Sequence, residues 1–200
     1  GSLYAGQTYT NIPDSDGRRI QIAWGRISHP GMPFNGMMLL PTELTLHTTK
    51  EGIRLFSNPI KETKQLFTPL KKWASLTSDK ANDHLKEFRN AGTLRIKTTF
   101  KLSHATSAGI DLFGQRILDY DMNANTINSV FYSPEDRNSM ELTADIYIDK
   151  TSIEVFIDGG IYSYSMERKA AKNNQDGICF WGNNIDIKNL EIFSVKSIWN

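Results

Sequence analysis

The stretch Pro33-Phe34-Asn35-Gly36-Met37-Met38-Leu39-Leu40-Pro41-Thr42-Glu43-Leu44-Thr45-Leu46 decides the fold of this 200-residue chain. Prolines and a glycine lead into an apolar segment, Met37 to Leu40, that has no polar position. A strand that is apolar on both faces has to be covered on both sides. The stretch is therefore predicted to lie between two bodies of structure.

Short strands are predicted on either side of this stretch. Leu3 to Thr10 and Arg18 to Arg26 flank a turn at Pro13-Asp14-Ser15-Asp16-Gly17, and the second strand alternates apolar with polar residues. Downstream, Gly52 to Ile60 leads into a longer β-rich region. A few antiparallel strands with an edge at each end do not form a stable unit alone. This small sheet therefore needs a larger body to pack against.

Four segments in this order carry a family resemblance: Tyr4-Ala5-Gly6-Gln7-Thr8, Arg18 to Trp24, Pro33 to Leu46 and Gly52 to Pro59. They resemble the patterns Y-A-x-Q-T, R-R-I-x-I-x-W, P-[WF]-x-x-x-M-x-x-P-x-E-L-x-L and G-x-R-L-x-x-x-P of glycoside hydrolase family 32, which contains invertases, levanases and inulinases. The resemblance implies that residues 1–60 are the remnant of the last blade of a five-bladed propeller.

The segment 61–92 is the least regular and is predicted to be a linker leading into a second domain. Lys61 to Ser75 has apolar residues at a spacing compatible with a helix, which Pro69 interrupts. A second short helix is predicted from a cap at Ser78 through Arg89, ended by Gly92.

Residues 93–200 are predicted to form a β-sandwich domain. About ten short strands follow one another at hairpin spacing, and a change of parity in the last strand predicts a bulge near Asn189. The run Ile148 to Gly160 also resembles the signature V-D-R-S-S-V-E-V-F-x-N-D-G of the family's C-terminal sandwich. The predicted fold is all-β: a two-sheet antiparallel sandwich of jelly-roll or concanavalin-like type, preceded by a partial propeller blade.

Composition excludes several classes of function. Lys plus Arg (23) balance Asp plus Glu (22) to a net charge of +1. Without long runs of one charge or an apolar span, we expect neither nucleic-acid binding nor membrane insertion. Cys179 is alone, so it cannot form an internal disulfide, and is expected to be a buried inert thiol. Scattered histidines and the missing motifs predict no metal site and no cofactor.

The resemblance also implies where the reacting carboxylates of the family lie. They belong to W-M-N-D-P-N-G, R-D-P and E-C, and none of these motifs occurs in this sequence. No catalytic residue is assigned, and the chain alone is predicted to be inactive. Glu43 is expected in a salt bridge or backbone contact, and Glu154 on a solvent-side face or inter-sheet rim. Strand spacing puts Glu154 and Asp158 about 13 Å apart, whereas a retaining glycosidase needs about 5 Å.

Aromatic side chains are the candidate carbohydrate contacts, because a flat ring can cover the apolar face of a sugar. Trp24 with Arg26, and Phe34 with Asn35, are the predicted substrate-binding residues. In the family an aromatic near the I-x-W step lines the pocket rim, although for Trp24 a place in the blade core is the alternative. Three further tryptophans are expected to pack in the sandwich or the interdomain seam: Trp73, Trp181 and Trp199.

Three functions stay open at this point. The chain is the C-terminal segment of a fructan-hydrolysing enzyme, a non-catalytic carbohydrate-binding module, or a structural or oligomerisation domain. The predicted partners are a fructan, bound no better than about millimolar, and the missing propeller blades or a partner chain. Met37, Leu39 and Ile22 are the apolar residues expected to be exposed on a blade without neighbours.

Overall fold

The computed structural model describes residues 2–102, 106–133, 140–170, 177–182 and 184–197, most of them in antiparallel strands. The first body comprises β1 (Leu3–Thr8), β2 (Arg19–Gly25), β3 (Met37–Met38), β4 (Thr42–Thr49) and β5 (Gly52–Pro59). The second comprises β6 (Phe67–Thr77), α1 (Ser78–Leu85), β7 (Leu94–Leu102), β8 (Ser107–Leu112), β9 (Gln115–Asp121), β10 (Thr126–Ile127), β11 (Val130–Phe131), β12 (Glu141–Ile148), β13 (Ser152–Ile157), β14 (Tyr162–Glu167), β15 (Ile178–Trp181) and β16 (Ile185–Val195). Short 3-10 segments occur at Lys61–Leu66, Lys86–Phe88 and Asp158–Gly160.

The first body is a single antiparallel sheet, here called the blade. Its strands run in the order β1-β2-β4-β5, and β3 also pairs with β2. The predicted turn at 13–17 is confirmed, because the amides of Asp16 and Gly17 donate to the carbonyl of Pro13 at 2.9 and 3.1 Å. The strands β4 and β5 form a hairpin in continuous register from Thr42 opposite Pro59 to Thr49 opposite Gly52.

The second body is the predicted two-sheet sandwich. A sheet in the order β11-β10-β9-β8-β15 faces a sheet in the order β14-β13-β12-β7-β16-β6. One apolar core joins them, and the hydroxyl of Tyr164 donates across it to the carbonyl of Ile117 at 2.7 Å. The predicted bulge near Asn189 is confirmed by a register shift between Ile187 and Asn189 in the β16–β7 pair.

The prediction of a helix within Lys61 to Ser75 is wrong. After the 3-10 segment, the chain forms β6, which pairs with β16 at the edge of the six-stranded sheet. An edge strand tolerates Pro69, because the missing N–H can be on the side that no other strand uses. The division at 61–92 stays a prediction, although β6 belongs to the sandwich sheet.

The second predicted helix is confirmed as α1, with a cap one residue earlier than expected. Thr77, rather than Ser78, accepts a hydrogen bond from the Lys80 amide at 3.4 Å. The buried face predicted for this segment contains Ala81, Leu85 and Phe88. Asn82 bonds to both the N–H and the carbonyl of Phe180, at 2.7 and 2.9 Å, so α1 takes over the role of a neighbouring strand.

Two predictions about burial are wrong for a shared reason. Met38 is 56% exposed, and the apolar stretch 37–40 forms only the two-residue β3 before the chain turns into β4. Cys179 is half-buried, because its side chain alternates with the buried Ile178 and Phe180 on an edge strand. In both cases the segment has an open face that the run of apolar neighbours does not reveal.

The strand that is covered on both faces is β13. All six of its residues are buried: Ile153, Val155 and Ile157 face the sandwich core, and Ser152, Glu154 and Phe156 face outward beneath the blade. This outer face of β13 and β14 is where the two bodies meet.

Candidate functional site

The candidate site is the seam between the blade and the outer face of β13 and β14. Polar contacts fasten it, among them Ser2 to Ser165, His29 to Thr151, Leu40 to Glu154, and Asn58 to the carbonyl of Gly159. Between them lies a cavity of about 60 Å³. Polar side chains contribute to its lining, including Gln21, Thr42, Ser57, Glu154, Ser163 and Ser165, but the lining surface is more apolar than polar because Ala23, Leu39, Leu40 and Phe156 lie among them. The seam is therefore a mixed junction in which hydrogen bonds cross between apolar side chains.

Glu154 is the central charged group of this seam. Its side chain faces the cavity, the residue is only 8% exposed, and both carboxylate oxygens accept from the backbone N–H of Leu40, at 3.2 and 3.1 Å. Burial raises the pKa of Glu154 to about 7, against the opposing effect of the Leu40 hydrogen bond. The expectation that Glu154 lies on a solvent-side face or a rim is wrong, because the blade covers the outer face of β13.

His29 forms another contact across the seam. Its Nδ1 lies 2.6 Å from the hydroxyl of Thr151, while its Nε2 is buried and has no hydrogen-bond partner among the described residues. The ring of Phe34, one of the predicted substrate-binding residues, lies 5.3 Å from the imidazole, centroid to centroid. Asn35 is exposed in the same loop. This part of the predicted site is therefore attached to the sandwich through His29.

Trp24 and Arg26 belong to an exposed aromatic row on the blade. Tyr4, Trp24 and Met38 lie opposite one another on three adjacent strands, and all three are exposed. The rings of Tyr4 and Trp24 meet edge to face at 6.0 Å, and the guanidinium of Arg26 lies 4.9 Å from the Tyr4 ring centroid. The indole of Trp24 packs directly on Gly36, and a Cβ at this position would collide with the ring. Trp24 is therefore on an open face and not in the blade core.

The structure brings the four predicted residues into two groups rather than one. Trp24 and Arg26 belong to the aromatic row, whereas Phe34 packs against His29 at the seam. Their assignment to substrate binding stays a prediction. Sequence reasoning missed the seam roles of His29 and Glu154. Glu154 lies inside the run 148–160, but its alternation with apolar neighbours indicates a solvent face, so the sequence gives no signal of the seam.

Two exposed carboxylates come together around one guanidinium but cannot act as a catalytic pair. Arg18 bonds to Asp16 at 2.6 and 2.7 Å and to Glu62 at 2.9 and 3.0 Å. The hydrogen bonds from Arg18 lower the pKa of both carboxyl groups, that of Asp16 to about 2. Neither group can donate a proton near neutral pH.

Other tryptophans have the places expected for them, as far as the structure describes them. Trp73 stacks on His84 of α1 at 4.6 Å, and Trp181 donates from its indole to the carbonyl of Leu118 at 3.2 Å. Both pack in the sandwich. Trp199 lies outside the described residues.

Neither a metal-binding cluster nor a membrane-spanning helix is present among the described residues. No group of three or more His, Cys, Asp or Glu side chains in that part of the chain is placed to hold a metal ion. His104 lies outside it. None of the helices in the described ranges has the length and apolar character needed to cross a membrane.

Comparisons with known proteins agree with this architecture. The levanase of Bacillus subtilis (strain 168) is 24% identical over 232 residues, which cover 98% of this chain and 33% of that enzyme. The sucrose-6-phosphate hydrolase of Vibrio alginolyticus is 31% identical over 79% of this chain and 33% of its own length. The chain thus spans about a third of the curated relatives it matches. No protein-family model matches it.

A solved structure shows the same fold. The exo-inulinase of Aspergillus awamori superimposes with a TM-score of 0.70 over 99% of this chain and 44% of its own, at 15% identity. The class is therefore an all-β protein in which a propeller-type blade is followed by a two-sheet sandwich. The chain corresponds to the C-terminal portion of glycoside hydrolase family 32, the end of the propeller together with the sandwich.

Proposed function

We propose that this chain is the accessory C-terminal portion of an enzyme acting on β-fructosides such as levan, inulin or sucrose. In this role the sandwich holds the last propeller blade in place. The observation that carries the proposal is the seam, in which the sandwich binds the blade through Glu154 and Leu40, His29 and Thr151, and Asn58 and Gly159. The names of the relatives, a levanase and a sucrose-6-phosphate hydrolase, support this substrate class.

We further propose that the chain does not hydrolyse fructosides alone. Hydrolysis with retention needs two carboxyl groups about 5 Å apart across the scissile bond, one of them an acid near neutral pH. Glu154 has a suitable pKa, but it is buried and bound to a backbone amide. Asp158 accepts from the hydroxyl of Tyr132 and from the Thr143 amide, so it is committed to the sandwich.

The test uses the chain alone and a chimera. The purified chain is incubated with levan, inulin or sucrose, and released fructose is measured. In parallel, this chain replaces the third of the Bacillus subtilis levanase that it matches. We expect fructose at the level of the buffer control for the chain alone, and levan hydrolysis by the chimera above that of the truncated levanase. Turnover by the chain alone that falls when Glu154 is replaced by Gln would contradict the proposal.

A stand-alone carbohydrate-binding module is the second candidate, and one observation bears on it. The exposed row of Tyr4, Trp24 and Met38 offers aromatic surface against which a sugar ring can pack, but it lies on the blade. The outer sandwich face beyond the seam carries charged residues instead, with Lys97 opposite Asp145 and Lys101 opposite Glu141. This favours the accessory role for the sandwich. The charged face also argues against an apolar oligomerisation surface there.

A further inference from the structure

The contact between Glu154 and Leu40 joins the two bodies through a side chain that can be ionised or neutral. The carboxylate belongs to the sandwich, and the amide belongs to the stretch that connects β3 and β4 of the blade. The seam cavity beside it has room for a few water molecules, since one water occupies roughly 10–15 Å³ of such a volume. Separation of the blade from β13 would therefore expose the carboxylate to water, whereas docking of the blade removes it from water.

The surroundings of Glu154 provide hydrogen bonding but no compensating positive charge. Within the described ranges its hydrogen-bonded partner is a backbone amide. Tyr147 lies opposite Glu154 on β12, and the charge of Asp149 also acts on it. Glu167 lies on β14 two residues beyond Ser165, the partner of Glu154, and His29 of the blade reaches the sandwich at Thr151. The next cation along the sheet, Arg95, is bound by Asp145 at 2.7 and 2.9 Å. The blade's own Glu43 lies on the opposite face of its sheet, beside Ile20.

We propose that docking of the blade on the sandwich is coupled to the uptake of one proton by Glu154. The protonated carboxyl group can still accept from the Leu40 amide through its carbonyl oxygen, and its O–H can donate to a cavity oxygen. The ionised group keeps the amide but exchanges bulk water for the few molecules that the cavity can hold. The seam is therefore tight when Glu154 is neutral and loosens when it is charged. The proposal does not depend on sugar binding.

The sign of the pH dependence follows from the two states. Burial raises the pKa of Glu154 to about 7 in the docked state, whereas an exposed carboxyl has the ordinary value of 4.5. A raised pKa in the docked state contributes stability that is complete below pH 4.5 and is lost as the pH rises through about 7. Across this window the docking equilibrium constant should fall by roughly 300-fold, since the pKa difference is about 2.5 and each unit corresponds to a factor of about 10.

The experiment is a pH series of NMR and amide hydrogen exchange on the whole chain. We expect the Leu40 amide shift and the Glu154 side-chain carboxyl shift to titrate together with a midpoint near 7. We also expect the protection factors of the β2 and β4 amides to fall over the same range. E154Q should abolish both effects. E87Q, an equivalent change in the exposed 3-10 segment after α1, should leave both unchanged.

The outcomes that would overturn the proposal are distinct. A Glu154 midpoint near 4.5, or seam protection that does not vary with pH, would contradict it directly. Loss of the pH dependence in H29Q but not in E154Q would assign the proton to His29 instead. The Glu154 carboxyl shift is measured on the unaltered chain, so the proposal stays testable even where a variant does not fold.

Discussion

Arg95 is the most enclosed cation of the described sandwich. Asp145 binds its guanidinium through two hydrogen bonds, and the rings of Phe67, Tyr147 and Phe193 lie 4.7, 5.0 and 5.2 Å from it. The residue is only 8% exposed. A cation in such a place depends on its carboxylate, because removal of one partner leaves an unpaired charge out of water.

The first prediction concerns this pair. D145A should lower the free energy of unfolding by about 3 kcal/mol. R95M/D145A should recover more than half of that loss, since both charges are gone and methionine fills the aromatic box. Urea unfolding at neutral pH measures both effects.

The control for this pair is K72A. Lys72 bonds to Glu191 at 2.7 Å but its side chain is 70% exposed, so the loss should stay below about 1 kcal/mol. A double variant no more stable than D145A would show that the aromatic box needs the ion pair itself.

For single residues, the sequence identifies candidates for function more reliably than it predicts their positions in the fold. The sequence allows two positions for Trp24, on a pocket rim or in the blade core. The pairing of three short strands places it on an exposed face. Glu154 alternates with apolar neighbours, which normally indicates a solvent face. The blade covers that face, and no local pattern in β13 records the presence of a second body.

Among the elements, β13 connects the two bodies. Its inner residues belong to the sandwich core, and Phe156 on its outer face is buried in the seam. Substitutions on the two faces of this one strand should therefore have separable effects.

The second prediction uses that difference. F156A should loosen the blade and leave the sandwich folded, because it removes a large apolar side chain from the seam only. The protection of the β2 and β4 amides should fall by an amount equivalent to about 3 kcal/mol, with the β7 and β12 amides unchanged in hydrogen exchange.

The matched change on the inner face is V155A. It should lower the protection of β7 and β12 as well, since Val155 belongs to the core that joins the two sheets. Equal loss of protection in both bodies for F156A would mean that the blade and the sandwich unfold as one unit.

The elements themselves show what a sequence pattern can and cannot decide. The parity change at Asn189 reports directly on the local backbone, and the bulge predicted from it is confirmed. Residues 67–77 fit a helical spacing as well as a strand, and pairing with the distant β16 decides in favour of the strand. The paired residues are 109 to 128 positions apart in sequence, which is why the pattern alone could not select the strand.

For the whole molecule, the blade leaves an apolar face open. Leu46 and Ile53 are each 71% exposed and Leu55 is 54% exposed, on one face of the β4–β5 hairpin. An exposed apolar face is present, as predicted, but the residues named for it are wrong: Leu39 is buried at the seam, and Met37 and Ile22 are half-buried.

The third prediction follows from this open face. The chain should self-associate with rising concentration, since contiguous exposed apolar side chains favour contact with another surface. L46T/I53T/L55T should shift the molecule toward the monomer, as measured by light scattering during size-exclusion chromatography. L70T, which changes an exposed leucine on β6, should have no effect. A strictly monomeric parent chain at high concentration would contradict the prediction.

Carbohydrate binding distinguishes the two candidate functions at the level of the whole molecule. In the accessory role, any contact with a fructan comes from the blade, whose exposed aromatic row contains Tyr4 and Trp24. In the module role the contact comes from the sandwich, where Phe131, 65% exposed on β11, is the exposed aromatic residue of the described part. A half-open surface encloses little of a sugar, so the dissociation constant should be about 1 mM or weaker, equivalent to about −4 kcal/mol.

The fourth prediction compares W24A with F131A. Titration of a fructo-oligosaccharide into the labelled chain should shift the indole N–H resonance of Trp24 and leave that of Trp181 unchanged. W24A should abolish binding, because it removes the largest ring of the row, and F131A should retain the affinity of the parent chain. Both changes remove an exposed ring and should cost little stability, so a loss of binding reports on the sugar contact. Binding that survives W24A and disappears in F131A would instead identify the sandwich as a carbohydrate-binding module.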